Sequence, residues 1–275
     1  VKKMYQMIVS DLDETLLRDD GTLSAGNIQA IKQAVAQGVY FVPNSGRSFL
    51  SYQDNLRDLG LYNQPQAYEI SYNGALILEN YQNRVLKSNG LDYAMAQAIF
   101  DICTNTDGAV HIYTTDQLFI YHADPNDNRY LAERGVQFTT LNTVDFTMFQ
   151  SLAIMKIIVA LPTMAQRQAL GKKVHVVLGN QVTATYSSDR YIEFNRAQVN
   201  KGTATLALAQ QLQIQPEAII AVGDNNNDLT MIQAAGLGVC VANGIDSVKQ
   251  AAQYVTKRDN NQDAMAEIIE KFVLR

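Results

Sequence analysis

Short, wholly apolar runs bounded by polar turns alternate with longer stretches of helical period at both ends of the chain, and the two periods predict different elements. Met7-Ile8-Val9 is a continuous apolar run ending at Ser10, the pattern of a parallel strand buried on both faces. From Ser24 the apolar positions Ile28, Ile31, Ala34 and Val35 recur at helical spacing, with Ser24 as N-cap and Gly38 as stop. Val39 to Val42 reads as a second strand, Pro43-Asn44-Ser45-Gly46 as a turn, and Ser48 to Leu59 as a second helix. After Asn200 the rhythm returns: a helix over 203–213, a strand over 218–222, a helix over 228–235 and a strand over 237–241. Alternation of this kind predicts a parallel sheet with helices on its faces.

The middle of the chain follows a different pattern. One helix, Tyr93 to Cys103, precedes strand-like stretches at Val110 to Thr114, Leu118 to Tyr121, Ile154 to Leu161 and Val182 to Tyr186, with a helix over 164–172 among them. Strands in succession predict an antiparallel sheet. The chain therefore reads as α/β, with a parallel-sheet core built from 1–84 and 190–275 and an inserted α+β domain over 85–189. Length agrees, because 275 residues at roughly 150 per domain suggest two units. No repeat is visible, and Asn225-Asn226-Asn227 is too short a tract to mean disorder.

Composition narrows the class. At 47% hydrophobic and 18% charged the chain can bury a sizeable core, and its net charge of −5 argues against nucleic-acid binding driven by positive charge. Cys103 and Cys240 form neither a Cys-x-x-Cys motif nor a disulfide framework, so a reducing, cytoplasmic setting is expected. His111, His122 and His175 show no ligand spacing and read as structural or surface residues rather than a zinc site. Lys2 and Lys3 begin the chain as a signal peptide might, but the apolar run that follows ends at Asp11, Asp13 and Glu14. No run reaches about 18 apolar residues, so no membrane span is expected. The pattern specifies no oligomeric state.

In open parallel α/β sheets, ligands bind beyond the carboxyl ends of the strands. Four polar segments fall at such places: Asp11-Leu12-Asp13-Glu14-Thr15, Asn44-Ser45-Gly46-Arg47, Asn200-Lys201-Gly202, and Gly223-Asp224 through Asp228. Four aspartates at one sheet end repel one another unless a cation lies among them, and hard oxygen donors without histidine or cysteine favour Mg²⁺. Lys201 adds a second positive charge, and Ser45 with glycine-permitted backbone amides makes a receptacle for phosphoryl oxygens. Asp11, nearest the strand end, reads as a nucleophile. Asp13, two residues on and sharing its face if the chain is extended, reads as the group that handles the proton.

In this order the four segments resemble the four motifs of the haloacid dehalogenase superfamily of phosphohydrolases, and the long insertion resembles the α/β cap of its Cof-like branch. Ser71-Tyr72-Asn73-Gly74-Ala75 and Val239-Cys240-Val241-Ala242-Asn243 also look like segments of that branch. The resemblance implies a Rossmann-like core, with the insertion as a lid that selects the substrate. It makes Asp11, Asp13 and Lys201 catalytic, and places Leu12, Ser45, Gly46, Lys201 and Asn227 around the phosphate. It puts Asp11, Asp13 (through its carbonyl), Asp224 and Asp228 at or near Mg²⁺. The implied activity is Mg²⁺-dependent hydrolysis of small phosphorylated metabolites, sugar phosphates above all, through an aspartyl-phosphate. A phosphosugar mutase and a non-catalytic phosphometabolite sensor are the alternatives. Glu14 stands where the branch often has glycine, Ser45 where it usually has threonine, and Asn260 to Ala264 where relatives carry a glycine-containing stretch.

Other residues admit two readings. Tyr113, Tyr121 and Tyr130 either pack in strands or line a substrate pocket, and Asn73 either touches ligand or serves as the Asn-Gly of a hairpin. Cys240 reads as a small buried hydrophobe.

Overall fold

The computed structural model describes residues 5–133, 135–143 and 145–274, so Lys2 and Lys3 lie outside the described residues. The chain divides into two compact units, Val1–Lys87 with Asn200–Arg275, and Ser88–Val199.

The first unit is built on a five-stranded parallel sheet ordered Tyr254–Val255, Leu237–Cys240, Ile219–Gly223, Met7–Ser10, Tyr40–Pro43. Met7–Ser10 and Ile219–Gly223 are buried at every position, as their unbroken apolar runs require of strands covered on both faces. Their register pairs Ser10 with both Val222 and Pro43, so three strands end level. The residues that follow, Asp11, Asn44 and Asp224, leave the sheet at one edge. Helix Ala25–Ala36 is capped by Ser24, whose hydroxyl accepts from the Asn27 amide, and helix Lys201–Gln211 is held at its start by a reciprocal Asn200–Thr203 capping box. The pattern did not predict the small sheet of Tyr68–Ser71, Leu76–Glu79 and Arg84–Ser88, which is joined to the main sheet by a bridge between Asn44 and Ile70.

The second unit holds a six-stranded sheet ordered Val182–Ser187, Tyr191–Arg196, Ile154–Ala160, Ala109–Thr114, Leu118–Tyr121, Thr139–Leu141. All pairs are antiparallel except the last, whose two parallel strands flank helix Pro125–Ala132 in sequence. Leu170 and Val174 of helix Met164–Leu178, together with Ala96, Ile99, Phe100 and Cys103 of helix Tyr93–Cys103, join one apolar cluster with Ile192 and Phe194. Those last two residues move the boundary expected at 190. Tyr191–Arg196 alternates apolar and polar positions and pairs with strands on both sides, so this unit runs on to Val199.

Both cysteines are buried free thiols. His111 is buried with its Nε2 2.6 Å from Asp127 Oδ2, and Asp127 also accepts from the Tyr191 hydroxyl at 2.6 Å. Tyr121 packs edge-on against Phe100, and Tyr130 against Tyr191. Among the described residues no helix is long and apolar enough to cross a membrane.

Candidate active site

Asp11 continues the ladder of Met7–Ser10 through its amide, which donates to the Val222 carbonyl at 3.0 Å. One of its carboxylate oxygens accepts from Lys201 Nζ, which donates at 2.6 Å to Asp228 Oδ1 as well. Lys201 is the first residue of its helix and is fully buried, a position in which an ammonium needs counter-charges. Burial alone would lower its pKa, but Asp11 and Asp228 outweigh burial and hold the ammonium above its ordinary value. Asp224 lies one residue beyond Ile219–Gly223, and its Oδ1 accepts from the Thr15 hydroxyl at 2.6 Å.

Asp11, Asp224 and Asp228 each offer a carboxylate oxygen within 4.8 Å of the others. Three buried carboxylates against one lysine leave the cluster short of positive charge. Burial pushes the Asp11 carboxyl well up, opposed by Lys201 and reinforced by Asp228 and Asp224. Burial likewise raises Asp224 to about 6, with Thr15 opposing and Asp228 and Glu14 adding to the rise. An all-oxygen donor set with surplus negative charge fits a hard divalent cation such as Mg²⁺.

The residues expected to act together do not all have the same freedom. Both Asp228 oxygens are engaged: Oδ1 by Lys201, and Oδ2 by the amides of Asp224 and Asn225, each at 3.0 Å. Asp228 thus holds Lys201 and the 223–228 loop in place while also standing, with Asp11 and Asp224, in the carboxylate cluster that could take a metal ion. Asp13 is half-exposed and forms a bidentate ion pair with Arg47, whose Nε donates to Oδ2 at 2.8 Å and whose second nitrogen reaches Oδ1. Ser45 Oγ accepts from the Arg47 amide at 3.1 Å, and among the described residues its own hydroxyl donates to no partner. Leu12 has a buried side chain, and its carbonyl accepts from the Leu16 and Leu17 amides, so the group it can turn to a ligand is its backbone N–H. Asn227 is exposed and donates to Asn73 Oδ1 at 3.2 Å.

Several residues without an assigned role complete the site. Buried Asn44 donates to the Lys201 carbonyl at 3.1 Å and the Thr205 hydroxyl at 3.2 Å, tying one strand end to the lysine helix. Glu14 has φ +55°, the left-handed region that glycine enters freely and a side chain enters at a cost. Asn243 Nδ2 donates to its carbonyl at 2.6 Å. Asn260 is buried and donates at 3.0 Å to both the Leu17 carbonyl and Asp19, so the 260–264 segment clamps the loop that follows Asp11 and Asp13. Thr15 and Arg47 stood inside the motif segments, but only the fold shows that they reach residues 209 and 34 positions away.

Carboxylates, a buried lysine and a serine hydroxyl thus gather at one end of the parallel sheet, as they do in a class of phosphate-handling α/β proteins. The family model for haloacid dehalogenase-like hydrolases matches residues 8–269. The putative phosphatase YxeH of Bacillus subtilis is 30% identical over 98% of this chain and 99% of its own length. The 5-amino-6-(5-phospho-D-ribitylamino)uracil phosphatase YcsE of the same organism is 27% identical over 98% of this chain and 96% of its own. The crystal structure of TM0651 from Thermotoga maritima shares the fold with a TM-score of 0.87 at 24% identity, covering 99% of both chains. The chain belongs to the haloacid dehalogenase-like hydrolase family, in its Cof-like branch. It is a phosphoric monoester hydrolase.

Proposed function

We propose that this hydrolase cleaves the phosphate from small phosphorylated metabolites, with sugar phosphates as its substrate class, in a Mg²⁺-dependent reaction through an aspartyl-phosphate at Asp11. The observation that carries the reading is the buried Asp11–Lys201–Asp228 chain at the end of strand Met7–Ser10, with Asp13 two residues on. Lys201 holds one Asp11 oxygen and leaves the other to attack phosphorus. As that bond forms, the bond from phosphorus to the ester oxygen breaks, and Asp13 gives its proton to the departing alkoxide. Both Asp13 oxygens accept from Arg47 in the structure, so this acid role requires the carboxyl to leave Arg47 and take up a proton. In the second step the Asp13 carboxylate removes a proton from water. That water attacks phosphorus, the bond to Asp11 breaks, and inorganic phosphate leaves. Ser45 and Lys201 stabilise the spreading charge on the phosphoryl oxygens. Asp11 and Asp224, with the Asp13 carbonyl, would hold Mg²⁺, which supplies Lewis-acid neutralisation of that charge when bound. Support for a sugar-derived substrate comes from the phospho-ribityl compound in the name of the relative YcsE.

Phosphate release from a panel of phosphorylated metabolites, with and without Mg²⁺, tests the reading. Asp11→Asn should lower release by at least about 10³-fold, since loss of a nucleophile removes the covalent route. Equal rates for wild type and Asp11→Asn would refute the nucleophile, and isomerised sugar phosphate in place of free phosphate would make the protein a mutase.

A further inference from the structure

Asn73 lies against Ser45, Gly46 and Asn227, yet the mechanism above gives it no task. Tyr72 and Asn73 are consecutive non-glycine residues at φ +52° and +55°, a left-handed conformation that L side chains adopt at a cost. Backbone hydrogen bonds maintain it: Tyr72 N–H donates to the Arg47 carbonyl at 3.1 Å, and Asn73 N–H to the Ser45 carbonyl at 3.0 Å. Gly74 follows at φ +101° and presses so closely on Asn200, the cap of the Lys201 helix, that a Cβ there would lie 2.4 Å from the Asn200 carbonyl oxygen. The turn is thus fixed against two of the segments expected to surround the phosphate. Its side chain reaches the others. Asn73 Oδ1 accepts from Asn227, and Nδ2 lies 3.0 Å from where a Cβ on Gly46 would be. Among the described residues that half-buried Nδ2 donates to no acceptor.

We propose that Asn73 is a phosphate-binding residue whose Nδ2 amide donates to a phosphoryl oxygen beside Ser45, Gly46 and Asn227, while its Oδ1 orients the Asn227 amide toward the same anion. The competing reading is that Asn73 only makes the turn, because asparagine tolerates the left-handed region. Two variants separate them. Asn73→Asp keeps that tolerance and an acceptor for Asn227, but replaces the donor with a carboxylate that faces the anion. Asn73→Gly keeps the backbone freedom and removes the side chain.

Inorganic phosphate is the probe, titrated calorimetrically with excess Mg²⁺, alongside thermal melts that report folding. Loss of a hydrogen bond to an anion should weaken phosphate binding by about 10- to 100-fold in Asn73→Gly, and Asn73→Asp should be at least as weak because repulsion is added. A residue that only shapes the turn predicts both variants near wild type, because glycine and aspartate each tolerate the left-handed region. Wild-type affinity in either folded variant overturns the proposal. The inference rests on the phosphoester reading, but the two fail differently. Wild-type turnover with undiminished phosphate binding by Asn73→Asp would overturn this inference alone. Phosphate binding by wild type with no hydrolysis of any ester would overturn that reading alone.

Discussion

Glu69 sits in strand Tyr68–Ser71, fully buried, and among the described residues no hydrogen bond of ordinary geometry reaches either carboxyl oxygen. The hydroxyl of its buried neighbour Tyr52 faces it, with no hydrogen bond of ordinary geometry among the described residues. Burial raises the Glu69 carboxyl from 4.5 to about 7, with Tyr52 and Gln53 only partly opposing it. Below pH 4.5 the group is protonated in both folded and unfolded chains and favours neither. Between 4.5 and about 7 the unfolded chain loses the proton first, so the folded state binds more protons and its stability falls as pH rises. At roughly 1.4 kcal/mol per pH unit, that window removes about 3 kcal/mol. Glu69→Gln keeps the shape and removes the charge. The variant should match wild type near pH 4.5 and exceed it by about 3 kcal/mol at pH 8, in urea denaturation curves taken across the range. The difference matters for the site, because the next residue, Ile70, accepts from the Ser45 amide at 3.0 Å. A constant stability difference between the two proteins from pH 4.5 to 8 would refute the reasoning.

Other expectations follow from single contacts. Asp228→Asn leaves Lys201 buried with one counter-charge fewer and should cost about 3 kcal/mol of stability as well as activity; unchanged denaturation midpoints would contradict the buttressing role. Asn260→Ala removes the bonds to Leu17 and Asp19 and should destabilise by about 1–3 kcal/mol, so a melting temperature equal to wild type would mean that the 260–264 segment does not hold the Asp11 loop. Mg²⁺ at a hundred times its dissociation constant should stabilise the fold by roughly 3 kcal/mol. Asp224→Asn should abolish most of that gain in calorimetric scans, and an equal gain in the variant would remove Asp224 from the metal site.

Much of the architecture was legible because burial on both faces leaves an unmistakable mark. Met7–Val9 and Ile219–Val222 carry only apolar side chains, and such runs next to helices of 3.6 period define a parallel sheet from local information. The acidic segments at the strand ends could be collected for the same reason, since a parallel sheet brings the ends of its strands to one edge. Tyr68–Ser71 escaped because its strand is half polar, with Glu69 at a buried position where local pattern predicts exposure.

The sequence by itself determined which residue types meet at the sheet edge, because β-α alternation makes the strands parallel and parallel strands end on one side whatever their order. Only the tertiary structure decided how those residues divide the work. Asp11, Asp13, Asp224 and Asp228 are the same chemical group. One is held by a buried lysine, one by Arg47, one by Thr15, and one by a lysine together with two backbone amides. Which oxygen stays open to a metal or to phosphorus depends on partners up to 209 positions distant, and nothing in local spacing encodes a hydrogen bond across that interval.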